Sequence, residues 1–206
     1  MKKINIAIIT GGVVAERSVS LKSAKVVYKH LSRKKYNRFL VDFDGKNFVE
    51  MKSKKKLSKS DFSFRKDGKK IKIDLAFLML HGSPAEDGRL QGYLDILGIP
   101  YTGCDHFVSG LTFDKQACKT FLRNYKVPMV DSQLIRKGEK TDLKRIKKMG
   151  LPLFVKPNKN GSSYGITKVK TITEVAPAIQ KAMKYDNEVL VERFIKGREF
   201  SNGVFQ

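Results

Sequence analysis

Short apolar runs and amphipathic segments alternate along the first half of the chain. Residues 4–9 (INIAII), 39–43 and 75–80 are apolar runs, typical of strands buried on both faces. Between the first two, apolar residues recur at spacings of three and four over residues 21–31, which predicts an amphipathic helix. The order strand, helix, strand, strand predicts a βαβ arrangement around a parallel sheet.

Local signals place the turns and helix ends of this half. Ser18 and Ser20 offer side-chain oxygens that would cap the N-terminus of the first helix. Asp67-Gly68 is a favoured pair for a tight β-hairpin turn within the polar, lysine-rich segment 45–73. Residues 90–97 predict a second helix, which Gly98 would close.

The pattern changes after residues 101–103 (YTG), so we expect two domains, residues 1–103 and residues 104–206. Helices are predicted at 114–125, 142–149 and 173–185, and strands at 130–135, 153–155, 166–169, 188–193 and 199–206.

Composition indicates a globular cytoplasmic protein. Of the 206 residues 41% are hydrophobic, enough for a core, yet the longest apolar run is too short to span a bilayer. Cys104 and Cys118 have neither metal-binding nor disulfide-framework spacing, which is typical of a reducing compartment. We expect no membrane association.

The net charge of +22 raises the alternative of a nucleic-acid binder. The lysines are scattered over the whole chain, and no basic helix with interleaved aromatic residues occurs. We therefore expect no specific nucleic-acid partner, only salt-sensitive attraction to polyanions.

One loop has the composition of a phosphate site. Gly161 and Gly165 permit close backbone approach, and Ser162 and Ser163 supply hydroxyl groups beside backbone N–H groups that can hold an anion. Lys156, at a strand end, can point at the same anion. The loop lacks the GxxxxGK[ST] pattern, so it is not a Walker loop. An ordinary Asn/Gly-rich hairpin loop remains the alternative.

The segment 188–200 (EVLVERFIKGREF) adds carboxylates at the end of a β-branched run. Glu192 and Glu199 could accept hydrogen bonds from an amine or a ribose, and the backbone of residues 193–195 could pair with an adenine edge. The alternative is that both acids only neutralise nearby lysines.

Together these segments resemble the ATP-grasp fold and, within it, the D-alanine–D-alanine ligase family. The motifs that carry the resemblance are GGVVAERSVSLKSA (11–24), LHGSPAEDGRLQGYLDILGIPYTG (80–103), FDKQACK (113–119), FVKPNKNGSSYG (154–165) and EVLVERFIKGRE (188–199). The implied fold is α/β, with an N-terminal parallel-sheet pre-ATP-grasp domain followed by an incomplete α+β ATP-grasp domain.

The resemblance implies ATP-dependent ligation of two D-alanines through an acyl phosphate, for peptidoglycan precursors and hence cell shape. The cofactors would be ATP and Mg²⁺ (or Mn²⁺), and the protein would form a homodimer through its N-terminal domain. A D-Ala–D-lactate type ligase and a non-catalytic binding module remain alternatives.

The resemblance also assigns roles to individual residues. Glu16 would hold the ammonium group of the first D-alanine, with Val19 and His81 beside it, and Ser162 would join Glu16 in a catalytic network. The residues implied at ATP are Lys115 and Lys156 on the phosphates, Gly161, Ser162 and Ser163 in the covering loop, and Glu192, Phe194, Ile195 and Glu199 around adenosine.

Members of the family continue well beyond the position of Gln206, and that part carries their metal ligands. We therefore expect no metal ligand in this chain, and we expect these 206 residues alone to be inactive as a ligase.

Overall fold

The computed structural model describes residues 3–13 and 16–204. Contacts within the chain divide it into two compact units, Met1–Asp114 and Lys115–Gln206. No helix in the described ranges is long and apolar enough to cross a membrane.

The first unit contains nine regular elements among its described residues. They are β1 (Ile4–Gly11), α1 (Arg17–His30), β2 (Tyr36–Phe43), β3 (Phe48–Glu50), β4 (Phe64–Lys66), β5 (Lys69–Ile71), β6 (Leu75–Leu78), α2 (Arg89–Ile96) and α3 (His106–Phe113). Helix α3 was not predicted, and it lies beyond residue 103, where the sequence suggested a domain boundary.

Strand β1 is the centre of this unit. Its sheet has the order β3-β2-β1-β6, with β1 parallel to β2 and β6, and β3 antiparallel to β2. Ala7 and Ile9 belong to one apolar cluster, whereas Ile8 belongs to another with Ala24 of α1. The apolar run is therefore buried on both faces, and the predicted parallel sheet is confirmed.

The predicted cap of α1 is wrong. The helix begins at Arg17, so Ser18 and Ser20 lie inside it, and Glu16 occupies the N-cap position without a side-chain capping bond. Ser20 is fully buried, and its hydroxyl donates to the Met79 carbonyl at 2.6 Å. The same oxygen accepts from the Gly11 N–H at 3.0 Å, so Ser20 ties α1 to strand ends instead of capping it.

The predicted hairpin and second helix are confirmed. Strands β4 and β5 pair antiparallel around Asp67 (φ 50°) and Gly68 (φ 76°), the left-handed angles that a tight two-residue turn requires. Helix α2 ends at Ile96, and Gly98 follows with φ 64°. Strand β6 stops at Leu78, two residues short of the predicted end.

Over its described residues, 115–204, the second unit has one antiparallel sheet and four helical segments. Its elements are α4 (Lys115–Arg123), β7 (Ser132–Arg136), α5 (Leu143–Met149), β8 (Leu153–Pro157), β9 (Thr167–Val169), a 3-10 turn (Ile172–Glu174), α6 (Val175–Ala182) and β10 (Glu188–Arg193). The strand order is β7-β10-β8-β9. Val155, Val189 and Val191 pack in one core with Ile146 of α5 and Ile179 of α6.

The strand predicted at 199–206 is wrong over its described part. Residues 199–204 have no regular structure, and residues 205 and 206 lie outside the described range. The apolar side chains in this segment are open to solvent, with Phe200 80% and Val204 86% exposed. Alternation alone does not make a strand, because its N–H and C=O groups need a neighbouring strand.

Candidate functional site

In the first unit, two of the implied substrate residues follow strands that end side by side. Strands β1 and β6 are parallel neighbours, so their carboxyl ends lie together. Glu16 follows β1 in the chain, and His81 follows β6. Glu16 is only 6% exposed, whereas Val19 is 51% exposed. The backbone carbonyl of Glu16 accepts from the Val19 N–H at 2.9 Å, in the first turn of α1.

A cavity of about 440 Å³ lies beside His81 within this unit. His81 Nδ1 is 3.6 Å from Glu86 Oε1, while His81 Nε2 is buried without a hydrogen-bond partner among the described residues. Gln91 also lines the cavity, and its buried Oε1 likewise has no partner there. The wall of the cavity therefore contains two buried polar atoms without a partner among the described residues.

The second unit brings Lys156 and Glu192 together on the sheet face opposite its core. In the register of β8 and β10, Glu192 lies opposite Phe154 and Lys156 lies opposite Leu190, so the charged residues are diagonal neighbours on one face. Lys156 Nζ contacts Glu192 Oε2 directly. On the other carboxylate oxygen, Lys119 Nζ lies 3.0 Å from Oε1.

This carboxylate is ionised although it is 8% exposed. Burial acts to raise the pKa of Glu192, but the hydrogen bonds and charges of Lys156 and then Lys119 outweigh it and lower that pKa below its ordinary value. Two cations therefore share one buried anion, which leaves a net positive charge that suits a phosphate group.

Lys115 lies at the base of the 158–165 loop. Its Nζ donates to the carbonyl oxygens of Asn158 at 3.1 Å and Asn160 at 2.7 Å. Asn158 is fully buried, and its Oδ1 accepts from the Gln116 N–H at 2.9 Å, while its Nδ2 donates to Glu188 Oε2 at 3.1 Å. One amide side chain thus joins the loop to the starts of α4 and β10.

The tip of the loop has three left-handed residues. Ser162 (φ 48°) and Ser163 (φ 61°) are exposed, whereas Gly165 (φ 76°) is buried. A Cβ at Gly165 would lie 2.7 Å from Tyr185 Cδ2, so only glycine fits there. Gly161 donates its N–H to Asn160 Oδ1 at 2.9 Å. The serines are therefore presented to solvent on a loop whose far end is packed.

The four residues implied at adenosine do not form one group. Glu192 is buried and paired, and Phe194 packs against Phe154 with ring centroids 5.8 Å apart. Ile195 is 67% exposed, and Glu199 is exposed in the segment without regular structure. Among the described residues, no hydrogen bond or ion pair joins Ile195 or Glu199 to the Glu192 cluster.

Two charged residues of this region were given no role by sequence reasoning. Lys168 Nζ lies 3.6 Å from the ring centroid of Phe194, a cation–π contact. Lys119 lies four residues after Lys115 in α4, a spacing that places both on one helix face and could have indicated it.

The donors fit an anion better than a metal ion. Within residues 3–13 and 16–204, no three His, Cys, Asp or Glu side chains group closely enough to hold a metal. Lys115, Lys119 and Lys156 instead supply ammonium groups, which bind phosphate oxygens as point charges.

A parallel α/β unit, followed by an antiparallel sheet with a lysine–glutamate cluster next to a glycine–serine loop, defines the class of ATP-grasp proteins. The particular family follows from sequence comparison. Residues 5–104 match the family model for the D-ala D-ala ligase N-terminus, and residues 121–206 match the model for the D-ala D-ala ligase C-terminus. The chain belongs to the D-alanine–D-alanine ligase family.

Individual relatives agree with this assignment. The chain is 42% identical to a D-alanine–D-alanine ligase of Phocaeicola vulgatus and 41% identical to one of Bacteroides fragilis, in each case over 99% of this chain. It spans 64% of the length of each of these relatives.

Solved structures show the same fold. D-alanyl-alanine synthetase A from Vibrio cholerae is similar with a TM-score of 0.86 and 27% identity, over 95% of this chain and 60% of that one. VanG D-Ala:D-Ser ligase from Enterococcus faecalis is similar with a TM-score of 0.83 and 30% identity, over 95% of this chain and 64% of that one. A Bacillus anthracis D-alanine–D-alanine ligase complexed with ATP is similar with a TM-score of 0.76 and 30% identity, over 94% of this chain and 60% of that one.

Proposed function

We propose that this chain supplies the first-substrate and nucleotide-binding parts of an ATP-dependent ligase that joins two D-alanines for peptidoglycan precursors. The observation that carries the proposal is the Lys156–Glu192 pair, which lies on the sheet face opposite the core of the second unit, with Lys156 directly before the 158–165 loop. Family membership supports the choice of reaction.

The chemistry calls for positive charge at this place. A carboxylate is a poor electrophile, so the ligase would first transfer a phosphoryl group to the first D-alanine and then let the second amine displace it from the acyl phosphate. Phosphoryl transfer depends on positioning and on neutralisation of charge. Lys115 and Lys156 would bind the ATP phosphates, and Gly161, Ser162 and Ser163 would cover them, with Ser162 also serving the reaction. Mg²⁺ or Mn²⁺ would add further neutralisation.

Nucleotide recognition would extend from the same cluster. Glu192 would accept from the adenine amine, and Phe194 would pack against the base, because its ring already lies at the end of β10 beside Phe154. Ile195 and Glu199 would join adenosine only if the exposed segment that follows β10 moves toward it.

The first unit would bind the first D-alanine. Glu16 would pair with its ammonium group, His81 would lie near its carboxylate, and Val19 would contact its methyl group. Burial of Glu16 strengthens an ion pair with a small cation, because little water competes for the carboxylate.

Isothermal titration of the 206-residue chain tests both parts. We expect D-alanine to bind in the absence of nucleotide, and ADP with Mg²⁺ to bind in its absence. Lys156→Met should lower the affinity for ADP at least tenfold and leave the affinity for D-alanine unchanged. The matched exposed variant Lys144→Met should change neither affinity. ADP binding that is indifferent to Lys156→Met would contradict the proposed phosphate role.

A product assay with D-alanine, D-lactate or D-serine as the second substrate separates the related ligases. Formation of D-alanyl-D-lactate in preference to the dipeptide would replace the proposed reaction by that alternative. Binding of both ligands without any product is the outcome expected of these 206 residues alone, and dipeptide formed by the pure chain would contradict that expectation. We also propose a homodimer formed through the first unit, acting in the cytoplasm where ATP is available; a monomeric mass in sedimentation equilibrium would refute the dimer.

A further inference from the structure

A second lysine that is largely shielded from solvent lies beside the Lys156–Glu192 pair. The side chain of Lys119 is 14% exposed, comparable to the 10% of Glu192. Its Nζ lies 3.0 Å from Glu192 Oε1 and donates to the Val130 carbonyl at 2.7 Å. Burial of an ammonium group is unfavourable unless its charge and its hydrogen bonds are matched. Both requirements are met here by a carboxylate and a backbone carbonyl.

The two lysines on Glu192 differ in how firmly they are held. Lys119 comes from the middle of α4 and is fixed by two acceptors, one of which belongs to the backbone. Lys156 comes from β8, immediately before the loop, and its ammonium contact among the described residues is with Glu192 alone. Lys156 is therefore the cation that can exchange its partner.

We propose that Lys119 is a positioning residue that remains as the counter-charge of Glu192, so that Lys156 can leave Glu192 and bind a phosphate group of the ligand. This inference rests on the proposed function of Lys156. Without Lys119, departure of Lys156 would leave Glu192 buried and unpaired, which is strongly unfavourable. Lys156 would then stay on Glu192, and every phosphate ligand would have to compete with that carboxylate.

A rescue experiment follows from this competition. The probe is tripolyphosphate, which has no base, so that any contact of Glu192 with adenine does not enter. Titrations are made at about 0.15 M salt, where long-range attraction to the basic chain is screened. Lys119→Met should lower the affinity for tripolyphosphate about tenfold or more. The double variant Lys119→Met/Glu192→Gln should return to within about twofold of Glu192→Gln alone, since a neutral amide needs no counter-charge.

The controls separate the inference from a structural role and from the proposed function. A lysine that only supports packing would give a loss that Glu192→Gln does not restore, and that result would overturn the inference. If Lys119→Met does not fold, Lys119→Gln keeps a donor for Val130 without the charge and is held to the same outcomes.

Lys156→Met separates a failure of the inference on Lys119 from a failure of the proposed function of Lys156. If it abolishes tripolyphosphate binding while Lys119→Met has no effect, the role of Lys119 is wrong and the phosphate role of Lys156 stands. If Lys156→Met itself has no effect, the proposed function of Lys156 fails. Lys144→Met, on the exposed face of α5, should match the unmodified chain throughout.

Discussion

The cavity of the first unit and the charged cluster of the second treat their polar groups in opposite ways. In the first, the cavity beside His81 has two buried polar atoms, His81 Nε2 and Gln91 Oε1, without partners among the described residues. In the second, the carboxylate of Glu192 already has a lysine on each oxygen. The two atoms of the first unit could gain hydrogen bonds only if the wall of the cavity moves aside, whereas a phosphate ligand of the second unit would have to replace an ion pair that exists.

The largest effect should come from Glu192→Ala. It leaves Lys119 and Lys156, whose side chains are 14% and 22% exposed, without their shared counter-charge, and breaking a buried pair in this way costs about 3–5 kcal/mol of unfolding free energy. Urea unfolding followed by circular dichroism measures the loss. A loss below about 1 kcal/mol would mean that water reaches the cluster and that its charges are not effectively buried.

Gly165→Ala should come next. The change forces a side chain into φ 76° and within 2.7 Å of Tyr185 and 2.9 Å of Pro157, so we expect a loss of about 3 kcal/mol. Gly138 is the matched control, because it has φ 88° but no atom within 4 Å of an added Cβ. If both variants lose the same stability, backbone strain rather than packing accounts for the effect.

Ser20→Ala tests whether a buried hydroxyl group stabilises the first unit and its binding of D-alanine. It removes a fully buried hydroxyl that bonds to Met79 and Gly11, which should cost about 1–3 kcal/mol. Because Ser20 joins α1 to the ends of β1 and β6, D-alanine should bind more weakly while ADP is unaffected. Ser18→Ala, at an exposed site of the same helix, should change stability by less than about 0.5 kcal/mol. Equal effects of the two serine variants would refute the tie.

Acidification should produce the smallest and most gradual effect. Hydrogen bonding from Lys159 first, and from Asn158, lowers the pKa of Glu188, and the lysine pair lowers the pKa of Glu192. Because both pKa values lie below the ordinary 4.5, the unfolded chain takes up protons first as the pH falls. The stability they contribute is fully present above pH about 4.5 and is lost as the pH falls through the folded pKa values. Unfolding at pH 7, 5 and 3.5 measures the decline, and Glu188→Gln should make it shallower.

Local pattern was sufficient where an element carries its own signals. The strand at 188–193 agrees with β10 at both ends, because a β-branched run lies between polar neighbours. The hairpin at Asp67-Gly68 was also predictable, since its turn depends on two adjacent residues. The motifs of the family identified Lys156 and Glu192, which the structure brings into contact.

Contacts distant in the sequence were not predictable in this way. Ser20 resembles a helix cap until Met79, far along the chain, takes its hydroxyl. The partner of Lys119 lies seventy-three residues away, so helical spacing could place Lys119 on a face but could not name Glu192. Alternation at 199–204 suggested a strand, yet no described residue pairs with that segment.

Asn158 gives the loop a mechanical consequence. Its buried amide and backbone join the 158–165 loop to Gln116 and Glu188, while Gly165 is packed against Tyr185 at the other end. The segment between these points is thus a short loop that is fixed at both ends, so its length limits how far its middle can move. We therefore expect the serine tip to open more readily than either end of the loop. Hydrogen–deuterium exchange should register this as fast amides at Ser162 and Ser163 next to a slow amide at Asn158.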